Sequence, residues 1–273
     1  MVFQRLIWAA LATALVVGSA QTGVQRWQTT PLILAAEAYE AQKAVAPKPV
    51  VPPAHLHSVA ATPHEHGDAK EWVPENGFER IGWTWVANSL HAFSMALLVF
   101  AVMGVCLWRG ATLRSFPLAL WTAAAGWLVF HFWPSLGLPA EIPGMDAARL
   151  GSRQGWWLLA SVGAALACTS IACLRSNLRW VAAAAWLALP FVVGAPHISS
   201  DPLAGFGPEA QTALRQLGNQ FIWATSWVAL SFWASMGLVG GLAFESWVRL
   251  NLLAVLTGSD VADVGPVNKA RCR

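Results

Sequence analysis

IGWTWVANSLHAFSMALLVFAVMGVCLW, residues 81–108, runs for 28 positions without a Lys, Arg, Asp or Glu. At a rise of 1.5 Å per residue such a helix is about 42 Å long, enough to cross the ~30 Å hydrocarbon layer of a bilayer. In lipid the backbone must satisfy itself internally, so a run this long and apolar is expected to be helical. Five more charge-free runs flank it, at 6–25, 115–140, 154–174, 180–200 and 216–244, each of at least 20 residues. The 273-residue chain is 56% hydrophobic and 11% charged, with a mean hydropathy of +0.49. A soluble domain carries about a quarter charged residues. The expected fold is therefore all-α: a polytopic transmembrane helical bundle of about six spans with a long His-rich outer loop.

The charges also orient the chain. With the N-terminus inside and the spans alternating, the inner segments hold 9 basic residues against 3 acidic ones, and the outer segments 8 against 11. The short links 109–114 and 175–179 carry two Arg each, where an excess of Lys and Arg marks the cytoplasmic side most strongly. Both termini are expected on the inner side of the membrane. The first run has a second reading: Arg5, an apolar stretch and GSA at 18–20 also fit a secretory signal with a small-residue cleavage site. PLILAA continues the apolar character beyond it, with Thr30 placed as an N-cap and Pro31 at the first helical position. Four regions result: residues 1–40, a first transmembrane helix with its extension; 41–80, a Pro/His-rich outer loop; 81–250, a five-helix bundle; and 251–273, an inner tail.

Tryptophans cluster at the expected interfaces: Trp83, Trp85, Trp133, Trp156 and Trp157 outside, Trp108, Trp180 and Trp247 inside. An aromatic belt accounts for most of them. GLVGG at 237–241 sets Gly237 and Gly241 one turn apart, a small-xxx-small face suited to close helix contact within the chain or with a partner. Cys106, Cys168, Cys173 and Cys272 all fall toward the inner side, where no disulfide framework is expected.

The outer loop opens with APKPVVPPAH (46–55), an extended proline-rich spacer. HLHSVAATPHEHGDAKEW (55–72) then holds four of the seven histidines. In an extended chain, side chains two apart point the same way. His55 with His57, and His64 with His66, can thus each offer two imidazoles to one ion, with Glu65 and Asp68 as added oxygen donors. Imidazole suits Co, Ni, Cu and Zn. A solvated linker that is merely rich in histidine is the plain alternative. His91 and His131 fall in the outer half of their spans and His197 follows the fifth. One reading makes His91 and His131 a metal path into the bundle; the other makes them helix-to-helix hydrogen-bonding groups. There is no G-x-x-x-x-G-K-[ST] phosphate loop, and no charged residue at the centre of any span.

PLILAAEAYE (31–40), HEHGD (64–68), EWVPENGFER (71–80), GLPAEIPG (137–144), RQGWW (153–157) and LPFVVGAPH (189–197) together resemble the CbtA family, proposed cobalt transporter subunits of bacteria. The resemblance runs over nearly the whole chain. It implies a polytopic inner-membrane protein tied to cobalt uptake for cobalamin synthesis, and a small single-span partner, CbtB, with histidines of its own. It places a metal role on His64 and His66. His55 and His57 are added by spacing alone. The sequence departs from the family pattern at Phe191, where histidine commonly follows LP, and the family description implies five spans where six are counted.

Two functions compete. In the first, the chain is the membrane subunit of a divalent-metal uptake system, with Co2+ the expected ion and Ni2+, Cu2+ or Zn2+ also compatible. Its metal residues are then His55, His57, His64, His66, His91 and His131. In the second, it is an accessory subunit of a larger membrane complex, and His91 or His131 ligates haem or a chlorophyll-type pigment. Neither calls for a nucleic-acid partner. No nucleophile–base pair or paired carboxylates stand at a useful spacing, so no enzymatic activity is expected.

Overall fold

The computed structural model describes residues 2–45, 74–111 and 113–258. Among them every regular element is a helix. Helix α1 spans Val2–Gln28 and α2 Thr30–Val45. Helix α3 spans Phe78–Trp108, α4 Ser115–Ser135, α5 Leu150–Cys173 and α6 Leu178–Val193. The last, α7, is continuous over Pro208–Leu256. Five of the seven (α1, α3, α4, α5 and α7) are long and apolar enough to cross a membrane. The region boundaries at 40 and 250 fall inside α2 and α7.

The charge-free run 180–200 predicts a sixth full span, but the structure ends α6 at Val193, after 16 residues. The reason is local. Pro190 sits in its last turn and cannot donate to the Trp186 carbonyl, and Gly194 follows with φ 88°, which a side chain rarely tolerates. At 1.5 Å per residue α6 measures about 24 Å, short of the ~30 Å layer. Conversely, α7 has 49 residues, about 74 Å, where the charge-free run 216–244 predicts a single crossing. It runs past Glu245 and Arg249, which pair at 2.8 Å, through a π turn at Phe244–Arg249.

Helices α1, α3, α4 and α7 form the core. Small residues set their spacing. A Cβ at Gly18 would stand 2.7 Å from the Ser89 Cα, so α1 and α3 approach almost backbone to backbone. Gly237 and Gly241 face Ala123 and Ala119 of α4, and a Cβ added at either would stand 3.0 Å from that methyl. The small-xxx-small face is thus used within the chain. Around these contacts Phe100, Met103, Met236, Phe244 and Val248 are fully buried. Helices α5 and α6 pair with each other and join the core through α4.

That junction corrects the aromatic-belt reading of two tryptophans. Trp156 is 4% exposed and donates its indole N–H to the Pro190 carbonyl at 2.9 Å; Trp133 donates to the Leu187 carbonyl at 3.1 Å. These indoles serve carbonyls in the last turns of α6. The Trp186 carbonyl, which Pro190 leaves without its helical donor, points at Gly163 of α5. Trp83, Trp108 and Trp180 remain exposed, as a belt requires.

At one end of the bundle the links pack on themselves. Ala36 of α2, Ile142, Leu203 and Leu214 form a second small core with Tyr39, Met145 and Phe206 around it. Arg153 pairs with Glu141 and Arg215 with Asp201, both at 2.7 Å. This is the loop end: α2, the 136–149 and 194–207 links and the start of α7 all lie there. The Arg-bearing links after α3 and α5 lie at the opposite end. Cys106, Cys168 and Cys173 are free; Cys272 is outside the described residues.

Gly163 provides a direct test of the α5–α6 contact. A Cβ there would stand 2.7 Å from the Trp186 backbone oxygen, which no rotamer change can relieve. Gly163→Ala should cost about 1–3 kcal/mol, the usual range for overpacking. A thermal melt in detergent should show the loss. Gly23→Ala, with nothing within 4 Å of the added methyl, should leave the melt unchanged.

Candidate metal passage

Three polar residues of α1, Gln21, Thr22 and Gln25, and Thr29 just past its end, recur at helical spacing on one face of an otherwise apolar run. Left facing lipid they would be costly, and the fold turns them toward α3 and α7. Asn88 of α3 donates to Thr22 Oγ1 at 3.0 Å and to Gln25 Oε1 at 2.7 Å. Trp85 donates its indole N–H to Ser19 Oγ at 2.9 Å. This network holds the loop-end halves of α1 and α3 in register.

Beside it lies a cavity of about 600 Å3, bounded by α1, α3, α4 and α7 together with Trp157 of α5. His91 enters from α3 and His131 from α4, so the structure brings these two sequence-predicted residues to one cavity. Met95, one turn along from His91, lines it as well. Gln21, Gln25, Thr84 and Thr225 supply amide and hydroxyl groups. Between the cavity and the opposite end the packing is aromatic. The His91 ring lies 5.1 Å from that of Phe232, Phe232 meets Trp233 edge-on at 5.4 Å, and Phe130 stacks on Trp233 at 5.9 Å. Gly126 is what lets that indole fit: a Cβ there would fall 2.2 Å from the Trp233 ring.

His131 stands in a π turn, Leu128–Phe132, in which the Trp133 N–H reaches back to the Leu128 carbonyl. Pro134 follows and cannot donate to the Phe130 carbonyl, so the ordinary ladder is interrupted there in any case. π turns inside α-helices recur at functional sites. Nε2 of His131 lies 3.5 Å from Ser226 Oγ, at the long limit of a hydrogen bond. The Ser226 hydroxyl already donates to the Ile222 carbonyl at 2.8 Å. With that hydroxyl hydrogen used, the contact suits the tautomer of His131 that carries its proton on Nε2, in which Nδ1 keeps a lone pair.

At the mouth, Arg80 of α3 reaches Glu37 of α2 through both guanidinium nitrogens, at 2.6 and 3.2 Å, and Asn76 at 2.9 Å. The pair is about one-third exposed and contributes no more than about 1 kcal/mol to stability. Its larger effect is electrostatic: Arg80, the one cation lining the cavity among the described residues, is neutralised by a carboxylate beside it. Among the described residues no group of three or more His, Cys, Asp or Glu side chains is placed to hold a metal ion. Two imidazoles with neutral oxygen and sulfur donors around them suit brief occupancy rather than storage.

His55, His57, His64 and His66 lie outside the described residues. His197 belongs elsewhere, to a separate cavity of about 470 Å3 between the 137–148 and 196–202 segments and α7. Its Nδ1 lies 2.9 Å from the Ala195 carbonyl oxygen. The polar face of α1 and the Glu37–Arg80 pair are what sequence reasoning missed. Their signal is present in the repeat of Gln21 and Gln25 one turn apart, a polar step within a charge-free run.

No curated protein and no solved structure matches this chain. The family described as "Probable cobalt transporter subunit (CbtA)" matches residues 3–245, which takes in α1 to α6, the link 46–77 and α7 as far as its π turn. A multi-helical membrane architecture, paired imidazoles in a cavity open toward one end and a family match over nearly the whole chain converge on one statement: the chain belongs to the CbtA family of probable cobalt transporter subunits.

Proposed function

We propose that this subunit admits a divalent metal, Co2+ foremost, from the outer face of a bacterial inner membrane into the cavity holding His91 and His131. The loop end is then outside and both termini are inside, as the Arg-bearing links at the opposite end favour, with the short α6 counted as a sixth crossing that returns the chain from those links to the loop end. The observation that carries this reading is the placement of both imidazoles in one cavity at the end where the chain departs for its His-rich link. Val45 and Pro74 bound that link, and Glu37 and Arg80, close to these two points in sequence, pair at the cavity mouth. His55, His57, His64 and His66 collect the ion, and the cavity receives it.

The donor set fits the task. Neutral imidazole binds Co2+, Ni2+, Cu2+ and Zn2+. With no carboxylate among the described groups beyond the one already paired with Arg80, the cavity holds a doubly charged ion weakly enough to release it. The aromatic layer of Phe130, Phe232 and Trp233 closes the cavity on its inner side, so onward movement needs a second conformation or a partner. A small single-span subunit bearing histidines, like CbtB, is the partner this reading calls for, with energy supplied outside this chain. Regions 1–40, 41–80, 81–250 and 251–273 then act as anchor, collector, passage and inner tail.

Uptake of radioactive Co2+ by cells carrying the chain and its partner checks the passage. His91→Ala/His131→Ala should lower the uptake rate by about tenfold or more, since loss of even an outer-shell partner costs a metal site 10–100-fold. His64→Ala/His66→Ala should instead raise the Co2+ concentration needed for half-maximal uptake, leaving the limiting rate near its original value. Unchanged uptake in the cavity variant would remove the passage. Orientation has its own measurement: a membrane-impermeant maleimide should label Ala60→Cys in intact cells and leave Cys272 untouched until the membrane is opened.

A further inference from the structure

Of the buried side-chain polar atoms without a partner among the described residues, one belongs to a residue that lines the cavity of His91 and His131. Gln21 of α1 is 9% exposed, and its Oε1 has no hydrogen-bond partner among the described residues. Leaving a buried acceptor unpaired costs a protein about 1–3 kcal/mol. Its neighbours show how readily the fold satisfies such groups: Thr22 Oγ1 donates to the Gly18 carbonyl and accepts from Asn88, and Gln25 Oε1 accepts from Asn88 too. Gln21 Oε1 is passed over, as is Ser89 Oγ, but of these two residues it is Gln21 that lines the same cavity as His91, His131 and Met95.

We propose that Gln21 is a metal ligand: its amide oxygen, with the imidazoles of His91 and His131 and the Met95 thioether, forms a site for a divalent transition-metal ion inside the bundle. The proposal rests on the reading that the cavity admits metal, and deepens it by naming the third and fourth donors. Two imidazoles leave a four-coordinate ion half served. An amide oxygen and a thioether complete the set without adding charge, so the ion keeps its full double charge and is held loosely. The charged groups that border the cavity do not oppose this, because Arg80 is compensated by Glu37 at 2.6 Å. A mixed oxygen, nitrogen and sulfur set suits a borderline ion such as Co2+ better than Mg2+ or Ca2+, which favour oxygen alone. The unpaired Oε1 is then a binding group kept free for its ion.

The test uses the full chain in detergent with His55, His57, His64, His66 and His197 all replaced by Ala, so that only the imidazoles of His91 and His131 compete for metal. Co2+ is titrated in and its visible d–d absorption followed. The parent should bind one Co2+. Gln21→Leu should weaken binding by about tenfold or more, the least that even an outer-shell partner is worth, and shift the d–d bands. Gln21→Glu keeps an oxygen at the same reach and adds a charge, so it should bind more tightly than the parent. If Gln21→Leu does not fold, judged by its helical circular dichroism and melt, Gln21→Glu decides: tighter binding supports the assignment and unchanged binding overturns it. If His91→Ala/His131→Ala abolishes binding while both Gln21 variants behave as the parent, the passage stands and Gln21 is no ligand. A parent that fails to bind Co2+, or a histidine variant that still binds it, removes the passage and this site together.

Discussion

The near-contact of α1 and α3 at Gly18 and Ser89 is the constraint on which the rest of the structure depends. Lipid tails are as apolar as leucine, so helices in a membrane gain little from hiding apolar surface against each other. They associate through close packing and interhelical hydrogen bonds. At Gly18 there is no room for a methyl group, and that closeness brings Thr22 and Gln25 within reach of Asn88. It also presses Ala9, Ala10, Ala14 and Val17 into the same core as Phe244 and Val248 of α7. Without α1, that core and one wall of the cavity would lie open.

The second use of small residues is on α7. Gly237 and Gly241 seat that helix against Ala123 and Ala119, while Gly126, farther along α4, makes space for the Trp233 ring. One pair of helices thus meets closely at one level and is held apart by an indole at the next. The cavity sits above that indole, on the side of the loop end. Its floor is stacked aromatic surface, and its walls carry amides, hydroxyls and two imidazoles. A hydrated cation exchanges some of its water for such groups at modest cost. The same cation has no comparable partners in the aromatic layer beneath.

The fold therefore joins two regimes. The half nearer the Arg-bearing links is a small-residue core in which Phe100, Met103 and Met236 are fully buried. The half nearer the loop end is polar inside, capped by the small core around Leu203 and Leu214, and tied at its mouth by Glu37 and Arg80. The chain's family, probable cobalt transporter subunits, is thus matched by a bundle with a polar cavity in one half.

Sequence alone determined that this protein is a bundle of membrane helices, because uncharged runs of more than 20 residues can satisfy their backbones in lipid in no other way. Its family was legible too, carried by short motifs spread along the chain from PLILAAEAYE to LPFVVGAPH. Helix ends were less so: α6 stops at Val193 because Pro190 and Gly194 act locally, and α7 continues past two charges because Glu245 and Arg249 neutralise each other one turn apart. Only the tertiary structure decided which polar groups share a space. His91 and His131 are 40 positions apart in sequence, and nothing in their spacing says that α3 and α4 turn them to a common cavity with Gln21 of α1. Hydropathy reports how much of a helix is apolar. Which face meets which neighbour is set by the glycines and alanines that let backbones touch, and that information exists only once the helices have packed.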